Sequence, residues 1–91
     1  MIALHDSVNI PHTVFAQEVD GEMVILDTAS KEYFGLDATG AVIWQHLSEN
    51  GALQEVFETM LEMYDVDARQ LETDISRFTQ ELLDAGLVQK P

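Results

Sequence analysis

The sequence predicts an α+β domain in which a three-stranded antiparallel β-meander precedes three α-helices. Two β-rich runs, residues 14–19 and 22–28, flank Asp20-Gly21, a dipeptide that suits the positive φ angles of a two-residue hairpin turn. A third short run at residues 32–36 follows a turn at residues 29–31. The rest of the chain repeats apolar residues at the spacing of amphipathic helices, so we expect three helices after the strands.

The predicted hairpin has two faces that are both partly apolar. Pairing across the turn places Phe15, Val24 and Leu26 on one face, and Val14, Ala16, Met23 and Ile25 on the other. Helices can cover one face, while something else can cover the second. The third strand is too short to be buried between two neighbours, so we expect it at an edge of the sheet.

The helices are predicted from their ends and their apolar stripes. Asp37 can cap the first helix, which should stop at Asn50-Gly51, where glycine can supply a left-handed cap. Asp67 and Gln70 resemble a capping box at the start of the third helix. The second helix carries the stripe Leu53, Val56, Phe57, Met60, Leu61 and Tyr64, and the third carries Leu71, Ile75, Phe78 and Leu82. Residues 87–89 can add a small terminal strand.

Length and composition predict one domain without disulfide bonds. The 91 residues can enclose one core, and we expect an N-terminal arm at residues 1–13 before a domain at residues 14–91. With 17 acidic and four basic residues the formal charge is −13, which argues against nucleic acid or an anionic membrane as a partner. Because the chain has no cysteine, no membrane-length apolar run and no signal-peptide pattern, we expect it in the cytoplasm.

No group of residues has the pattern of an active site. The histidines His5, His12 and His46 lack a metal-type spacing, and the serines lack a triad or nucleophile-elbow context. Acyl carrier proteins need a serine at a helix start for their cofactor, whereas residues 36–39 read Leu-Asp-Ala-Thr. We therefore predict a binding protein with no catalytic residue, no metal and no cofactor.

The predicted edge strand carries two adjacent aromatic residues, Tyr33 and Phe34, which must point to opposite faces of the sheet. Either both rings pack on local structure, or the outward ring lines a groove for a ligand strand. Lys31 begins this strand, and Arg69 and Arg77 lie on the third helix. If that helix packs beside the strand, most of the positive charge gathers at one groove; the alternative is a scatter of solubilising charges. The groove interpretation predicts an extended partner that is apolar at alternate positions and carries an acid.

Five short motifs follow one another in order through residues 14–89. They read DGEMVILD at residues 20–27, KEYFGLDATG at 31–40, Ile43-Trp44, YDVD at 64–67 and LLDAGLV at 82–88. This series resembles the PqqD-like family, the recognition elements for ribosomally made, modified peptides, and most closely the stand-alone members of lasso-peptide clusters. The resemblance implies a winged-helix-like fold. Residues 49–52 and the polar arm depart from the usual pattern.

The resemblance also implies a protein that is not an enzyme and binds the leader segment of a precursor peptide. The leader would add as a further strand to the edge of the third strand, lie against the third helix, and be delivered to a separate cysteine protease. A radical SAM enzyme of quinone-cofactor biosynthesis is the alternative partner. The residues expected to bind the peptide are Lys31, Glu32, Tyr33, Phe34, Gly35, Leu36, Leu71, Asp74, Ile75, Arg77 and Phe78. Which helix residues face the groove and which face the core stays open.

Two further classes of protein fit parts of the sequence. Winged-helix domains commonly read DNA, but the acidic charge and a second helix poor in cations argue against a transcription regulator. A carrier of a small metabolite would need a closed cavity. Strand exchange in a dimer also stays open.

Overall fold

The sheet begins with a hairpin that Asp20 and Gly21 close. In the computed structural model, which describes all 91 residues, these two residues have φ angles of 53° and 82°, as a two-residue hairpin turn with positive φ at both positions requires. The turn joins β1 (Val14–Val19) to β2 (Glu22–Asp27), and β3 (Tyr33–Leu36) follows. The strands pair antiparallel in the order β1-β2-β3, so the predicted meander is confirmed.

The strand register gives the sheet one covered face and one open face. Ile25 lies opposite Ala16 on β1 and opposite Phe34 on β3, and it is fully buried in the core. The other face carries Phe15, Leu26 and Tyr33 as cross-strand neighbours, of which Phe15 and Tyr33 are largely exposed. The predicted sorting of side chains between two faces is confirmed, and the helices cover only one of them.

Three helices follow the sheet: α1 (Ala38–Glu49), α2 (Leu53–Met63) and α3 (Ala68–Asp84). The Asp37 carboxylate caps α1 by accepting from the Gly40 N–H at 2.7 Å. Asp67 caps α3 by accepting from the Gln70 N–H at 2.9 Å. The predicted capping box is only half formed, because the Gln70 side chain donates to Asp74 instead of the Asp67 backbone.

Gly51 does not end α1 in a left-handed conformation, contrary to the prediction. The helix ends at Asn50, which is extended with φ −153° and ψ 114°, and the glycines with positive φ are Gly21 and Gly86. Gly51 is needed for a different reason, since a Cβ at this position would collide with the carbonyl oxygen of Val8. The glycine therefore allows the N-terminal arm to cross the α1–α2 connection in close contact.

The arm, residues 1–13, contains turns at residues 4–5 and 12–13 and is fixed to the helices. The Val8 N–H donates to the Gly51 carbonyl at 2.9 Å, and Asn9 and Gln89 exchange two backbone hydrogen bonds of 2.7 and 2.8 Å. Ile2 and Val8 are buried in the same core as the helices. The arm thus contributes to the core, and the expected terminal strand is reduced to the single bridge at Gln89.

One hydrophobic core joins the arm, the sheet and the three helices. The α3 stripe is fully used, whereas the predicted α2 stripe is narrower than expected because Leu61 and Tyr64 remain partly exposed. Sheet and helices meet mainly through β3 on α1, and α3 packs on α2. None of the helices combines the length and apolar character that a membrane crossing requires. The core residues are Ile2, Val8, Val14, Ile25, Ile43, Trp44, Leu47, Leu53, Val56, Met60, Leu71, Ile75, Phe78, Leu82, Leu87 and Val88.

Candidate functional site

The outer edge of β3 presents unpaired backbone groups. The Asp27 N–H donates to the Glu32 carbonyl at 2.9 Å, which makes these two residues a hydrogen-bonded pair. Because such pairs alternate along an antiparallel ladder, Phe34 bonds to β2, whereas Tyr33 and Gly35 direct their N–H and C=O groups away from it. No backbone hydrogen bond from a turn, loop or cap reaches Tyr33 or Gly35. We call these outward groups the β3 edge.

The N-terminal arm does not occupy the β3 edge. Its long-range backbone hydrogen bonds go to the Thr28 N–H after β2, to the α1–α2 connection, where the Asp6 carbonyl accepts from Leu53 at 3.2 Å, and to Gln89 near the C-terminus. The Ile2 N–H donates to the Gln80 side chain of α3 at 2.8 Å. The β3 edge is therefore free to pair with another polypeptide strand.

The turn before β3 is held by Asp27. Its carboxylate accepts from the Ala29 N–H at 3.0 Å and from the Ser30 hydroxyl at 3.2 Å. The Ala29 hydrogen bond is the main reason that the pKa of Asp27 lies below its ordinary value. Lys31 completes the turn in a left-handed conformation, with φ 64°, and its N–H donates to the Asp27 carbonyl. The turn fixes where β3 begins and hence which backbone groups face outward.

The two aromatic residues of β3 point to different faces of the sheet. Tyr33 is 76% exposed on the open face, next to Leu26 on β2. Phe34 is partly buried and packs against the core. Gly35 has open space where a Cβ would lie. A strand added at the β3 edge would therefore alternate its side chains between the Tyr33 face and the Phe34 face.

A pocket of about 330 Å³ lies between the start of α1 and the middle of α3. Asp37 directly follows the last residue of β3, so the pocket begins where the strand ends. A Cβ on Gly40 would lie 3.1 Å from the Phe78 ring, which explains why α1 and α3 can approach each other here. We call this cavity between α1 and α3 the polar pocket. Its lining residues are Asp37, Thr39, Gly40, Ile43, Asp74, Arg77, Phe78 and Glu81.

Arg77 is the basic residue of the polar pocket. Its guanidinium lies 3.3 Å from Oδ1 of Asp74, an oxygen that also accepts from the Gln70 side chain at 2.8 Å. The Arg77 side chain is 67% exposed, so this ion pair contributes only about 0–1 kcal/mol to stability. A carboxylate on a ligand can therefore replace Asp74 as its partner at small cost.

The other basic residues do not gather at this pocket. Lys31 and Arg69 are exposed, and neither lines the polar pocket. Lys90 lies 3.8 Å from Asp6 beside the arm. The predicted cluster of cations thus reduces to Arg77. Lys31 lies in the turn before β3, and it and the remaining basic residues fit the alternative of scattered solubilising charges.

Three of the α3 residues that the sequence places at the peptide site, Leu71, Ile75 and Phe78, lie in the core. Ile75 is 0% exposed and Leu71 4% exposed, because the apolar stripe of α3 is consumed by packing against the rest of the core. Ile75 has no surface that a peptide could touch, so we no longer expect it to contact the peptide. Phe78 is also buried but borders the polar pocket together with Asp74 and Arg77. These three residues form the α3 side of the groove.

The first turn of α1 contributes to the pocket although the sequence did not indicate it. Five lining residues of the polar pocket did not belong to the predicted site: Asp37, Thr39, Gly40 and Ile43 around the start of α1, and Glu81 on α3. The available signal was Gly40, since a glycine in the first turn of a helix weakens that helix and fits where another element approaches closely.

A second pocket, also of about 330 Å³, adjoins the polar one and shares Thr39 and Asp74 with it. It lies where α1, the end of α2 and the start of α3 meet. Six of its nine lining residues are apolar, and we call it the apolar pocket. Its lining residues are Ala38, Thr39, Val42, Met60, Tyr64, Val66, Gln70, Leu71 and Asp74.

The site offers hydrogen-bonding groups and apolar surface to an extended chain. No group of three or more histidine, cysteine, aspartate or glutamate side chains in the molecule is arranged to hold a metal ion. The β3 edge supplies backbone donors and acceptors, and the two pockets supply places for side chains.

The chain resembles known proteins in both sequence and structure. The family model described as "Coenzyme PQQ synthesis protein D (PqqD)" matches residues 22–88. The chain belongs to the PqqD family. This membership confirms the family resemblance and the α+β fold that it implied. Leader-binding proteins of the PqqD-like kind are typically non-catalytic.

Two solved structures are similar to this chain. One is "TbiB1 in Complex with the TbiA(beta) Leader Peptide", with 32% identity over 88% of this chain and 93% of that chain, and a TM-score of 0.75. The other is "Lasso peptide synthetase B1 complexed with the leader peptide", with 27% identity over 90% of this chain and 96% of that chain, and a TM-score of 0.75. No curated protein matches the chain. Both structures contain a leader peptide.

Proposed function

We propose that this PqqD-family protein binds the leader segment of a ribosomally made precursor peptide and delivers it to a separate processing enzyme. The leader adds as a fourth strand at the β3 edge and places side chains toward α3. The observation that carries this proposal is the unpaired edge at Tyr33 and Gly35, which ends beside the polar pocket. Two similar proteins, each solved with a leader peptide, support it.

The backbone groups of the β3 edge fix the register of the peptide and supply part of the affinity. Tyr33 and Gly35 each offer one donor and one acceptor, and four hydrogen bonds at about 0.5–1.5 kcal/mol give roughly 2–6 kcal/mol. Ordering and immobilising a peptide costs a comparable or larger amount. Side-chain contacts must supply the remainder, and we expect dissociation constants on the order of nanomolar to micromolar.

Because every peptide offers the same backbone groups to the β3 edge, side-chain charge helps to determine which peptide binds best. The protein carries a formal charge of −13, so a strongly acidic peptide is repelled at long range. Arg77 is the exposed cation beside the groove, and a single carboxylate placed opposite it gains a partner. The preferred leader is therefore extended, apolar toward Phe34 and α3, and acidic at one position near Arg77.

The processing enzyme in this proposal is the leader-cleaving cysteine protease of lasso-peptide biosynthesis, acting in the cytoplasm. This chain has no catalytic part in it. The two similar structures, whose names refer to lasso peptide synthesis in one case and to a leader peptide in both, support this assignment. The match to the PqqD family model supports a second candidate, a radical SAM enzyme of quinone-cofactor biosynthesis. Neighbouring genes for a cysteine protease and an asparagine-synthetase-like cyclase would favour the first, and a radical-enzyme gene the second.

Peptide selection followed by amide hydrogen exchange tests the proposed binding. Short random peptides are displayed and selected on the immobilised protein, and exchange is measured with and without the best binder. We expect slower exchange at the amides of Tyr33 and Gly35. The outer edge of β1 is the internal control: the Thr28 N–H donates to Thr13, so by alternation Ala16 directs its amide outward there.

Protection at Ala16 without protection at Tyr33 and Gly35 would place the peptide at the wrong edge. Binding without protection at either edge would refute strand addition. Failure to select any peptide would count against peptide recognition itself.

A further inference from the structure

The apolar pocket continues the groove beyond the end of β3. Along α3 the polar pocket is lined by Glu81, Phe78, Arg77 and Asp74, and the apolar pocket follows from Asp74 toward the start of the helix. Thr39 on α1 belongs to both pockets. A chain that leaves the β3 edge past Asp37 therefore enters the polar pocket first and the apolar pocket next.

We propose that the apolar pocket receives one large apolar side chain of the precursor peptide, from the residues that flank the β-paired segment on the Leu36 side. This proposal rests on the proposed function and adds a determinant of specificity to it. The side chain contacts Val42 of α1, Met60 of α2 and Val66 of the α2–α3 connection. The pocket thus reads a peptide residue that lies outside the strand pairing.

The surface of the pocket favours an apolar occupant. Tyr64 and Val66 leave apolar surface exposed to water in the free protein, and covering such surface stabilises a complex. The carboxylate at the rim does not oppose this, because Oδ1 of Asp74 already accepts from Gln70 and faces Arg77. The volume, about 330 Å³, is at the low end of the range for small-molecule sites, which favours a side chain over a metabolite.

A pair of matched variants tests the proposal. Val66→Asp places a charge on the wall of the apolar pocket. Val19→Asp makes the same change at the end of β1, outside both pockets, and the two valines are 45% and 46% exposed. Because both positions lie at the surface, we expect both variants to fold, which circular dichroism and thermal unfolding would verify.

The probe is the best binder selected from short random peptides on the unmodified protein, together with its single alanine variants. We expect one apolar peptide position beyond the paired segment where alanine weakens binding about 10- to 100-fold. Val66→Asp should weaken the parent peptide by a similar factor, and the alanine change should then cost little more. Val19→Asp should bind both peptides as the unmodified protein does. Such non-additivity is the signature of direct contact.

Two negative outcomes have different meanings. If the peptide protects the Tyr33 and Gly35 amides but no peptide position couples to Val66→Asp, the pocket proposal is wrong and strand addition stands. If the peptide binds without protecting the β3 edge, the proposed function fails, and the pocket proposal fails with it.

Discussion

Replacing Gly35 by proline would remove a single outward hydrogen-bond donor from the β3 edge. The Gly35 N–H points away from β2, so proline at this position leaves every β2–β3 hydrogen bond in place, and edge strands tolerate proline in that orientation. Proline also restricts the preceding Phe34 to the extended conformation that it already has in the strand. The fold should therefore persist while the binding edge loses a donor.

The expected loss of affinity follows from the unpaired peptide carbonyl. Leaving the peptide carbonyl unsatisfied costs about 1–3 kcal/mol, which corresponds to a dissociation constant that is about 5- to 150-fold larger. Titration of a fluorescent selected peptide measures it, with Gly35→Ala as the control, since the added methyl group meets open space and the N–H remains. A folded Gly35→Pro protein that binds as tightly as Gly35→Ala would show that the peptide does not pair with β3.

Three further changes test the arm and the charge. Gly51→Ala should push the Val8 carbonyl away and destabilise the protein by about 1–3 kcal/mol, which thermal unfolding would detect as a fall of several degrees, without changing peptide affinity in the folded state. The pKa of Asp6 is held below its ordinary value mainly by the Ala3 N–H, with help from nearby positive charge. Its stabilisation is therefore fully present above about pH 4 and is lost as pH falls through the folded pKa. Asp6→Asn should lower the melting temperature at pH 7, and this difference should shrink as the pH is lowered below about 4. Arg77→Glu should weaken binding of an acidic peptide at least about tenfold and reverse its salt dependence, because salt then screens a repulsion instead of an attraction. Unchanged affinity would remove Arg77 from the site. Stability should change little because the pair with Asp74 is exposed.

The parts of the fold that local chemistry determines were predicted from the sequence. The hairpin depends on Asp20-Gly21, whose residues need only adopt positive φ angles. The starts of α1 and α3 depend on Asp37 and Asp67, each of which accepts from an N–H three residues later. These signals act within a few residues, so they can be read without knowing the tertiary structure.

The parts that depend on distant contacts were not predicted. A glycine after Asn50 is typical of a helix C-cap, which is why the sequence suggested that role for Gly51. The structure requires glycine there because a side chain would collide with the Val8 carbonyl, which lies far away in the sequence. A single apolar stripe cannot show whether Ile75 faces a groove or the core. In the structure Ile75 is buried in the core. The polar pocket depends on the close approach of Gly40 on α1 to Phe78 on α3, two residues that are distant in the sequence. Sequence periodicity identifies which side of a helix is apolar, but not which partner covers it.

An open β-strand edge is usually a hazard, because a second copy of the same protein can pair with it. Here β3 is only four residues long, charged residues flank it at Glu32 and Asp37, and two copies repel each other with a formal charge of −13 on each. A peptide of small net charge meets no such repulsion and gains a contact at Arg77. Salt therefore acts in opposite directions on the two processes: it screens the repulsion between copies, and it weakens the attraction between Arg77 and an acidic peptide.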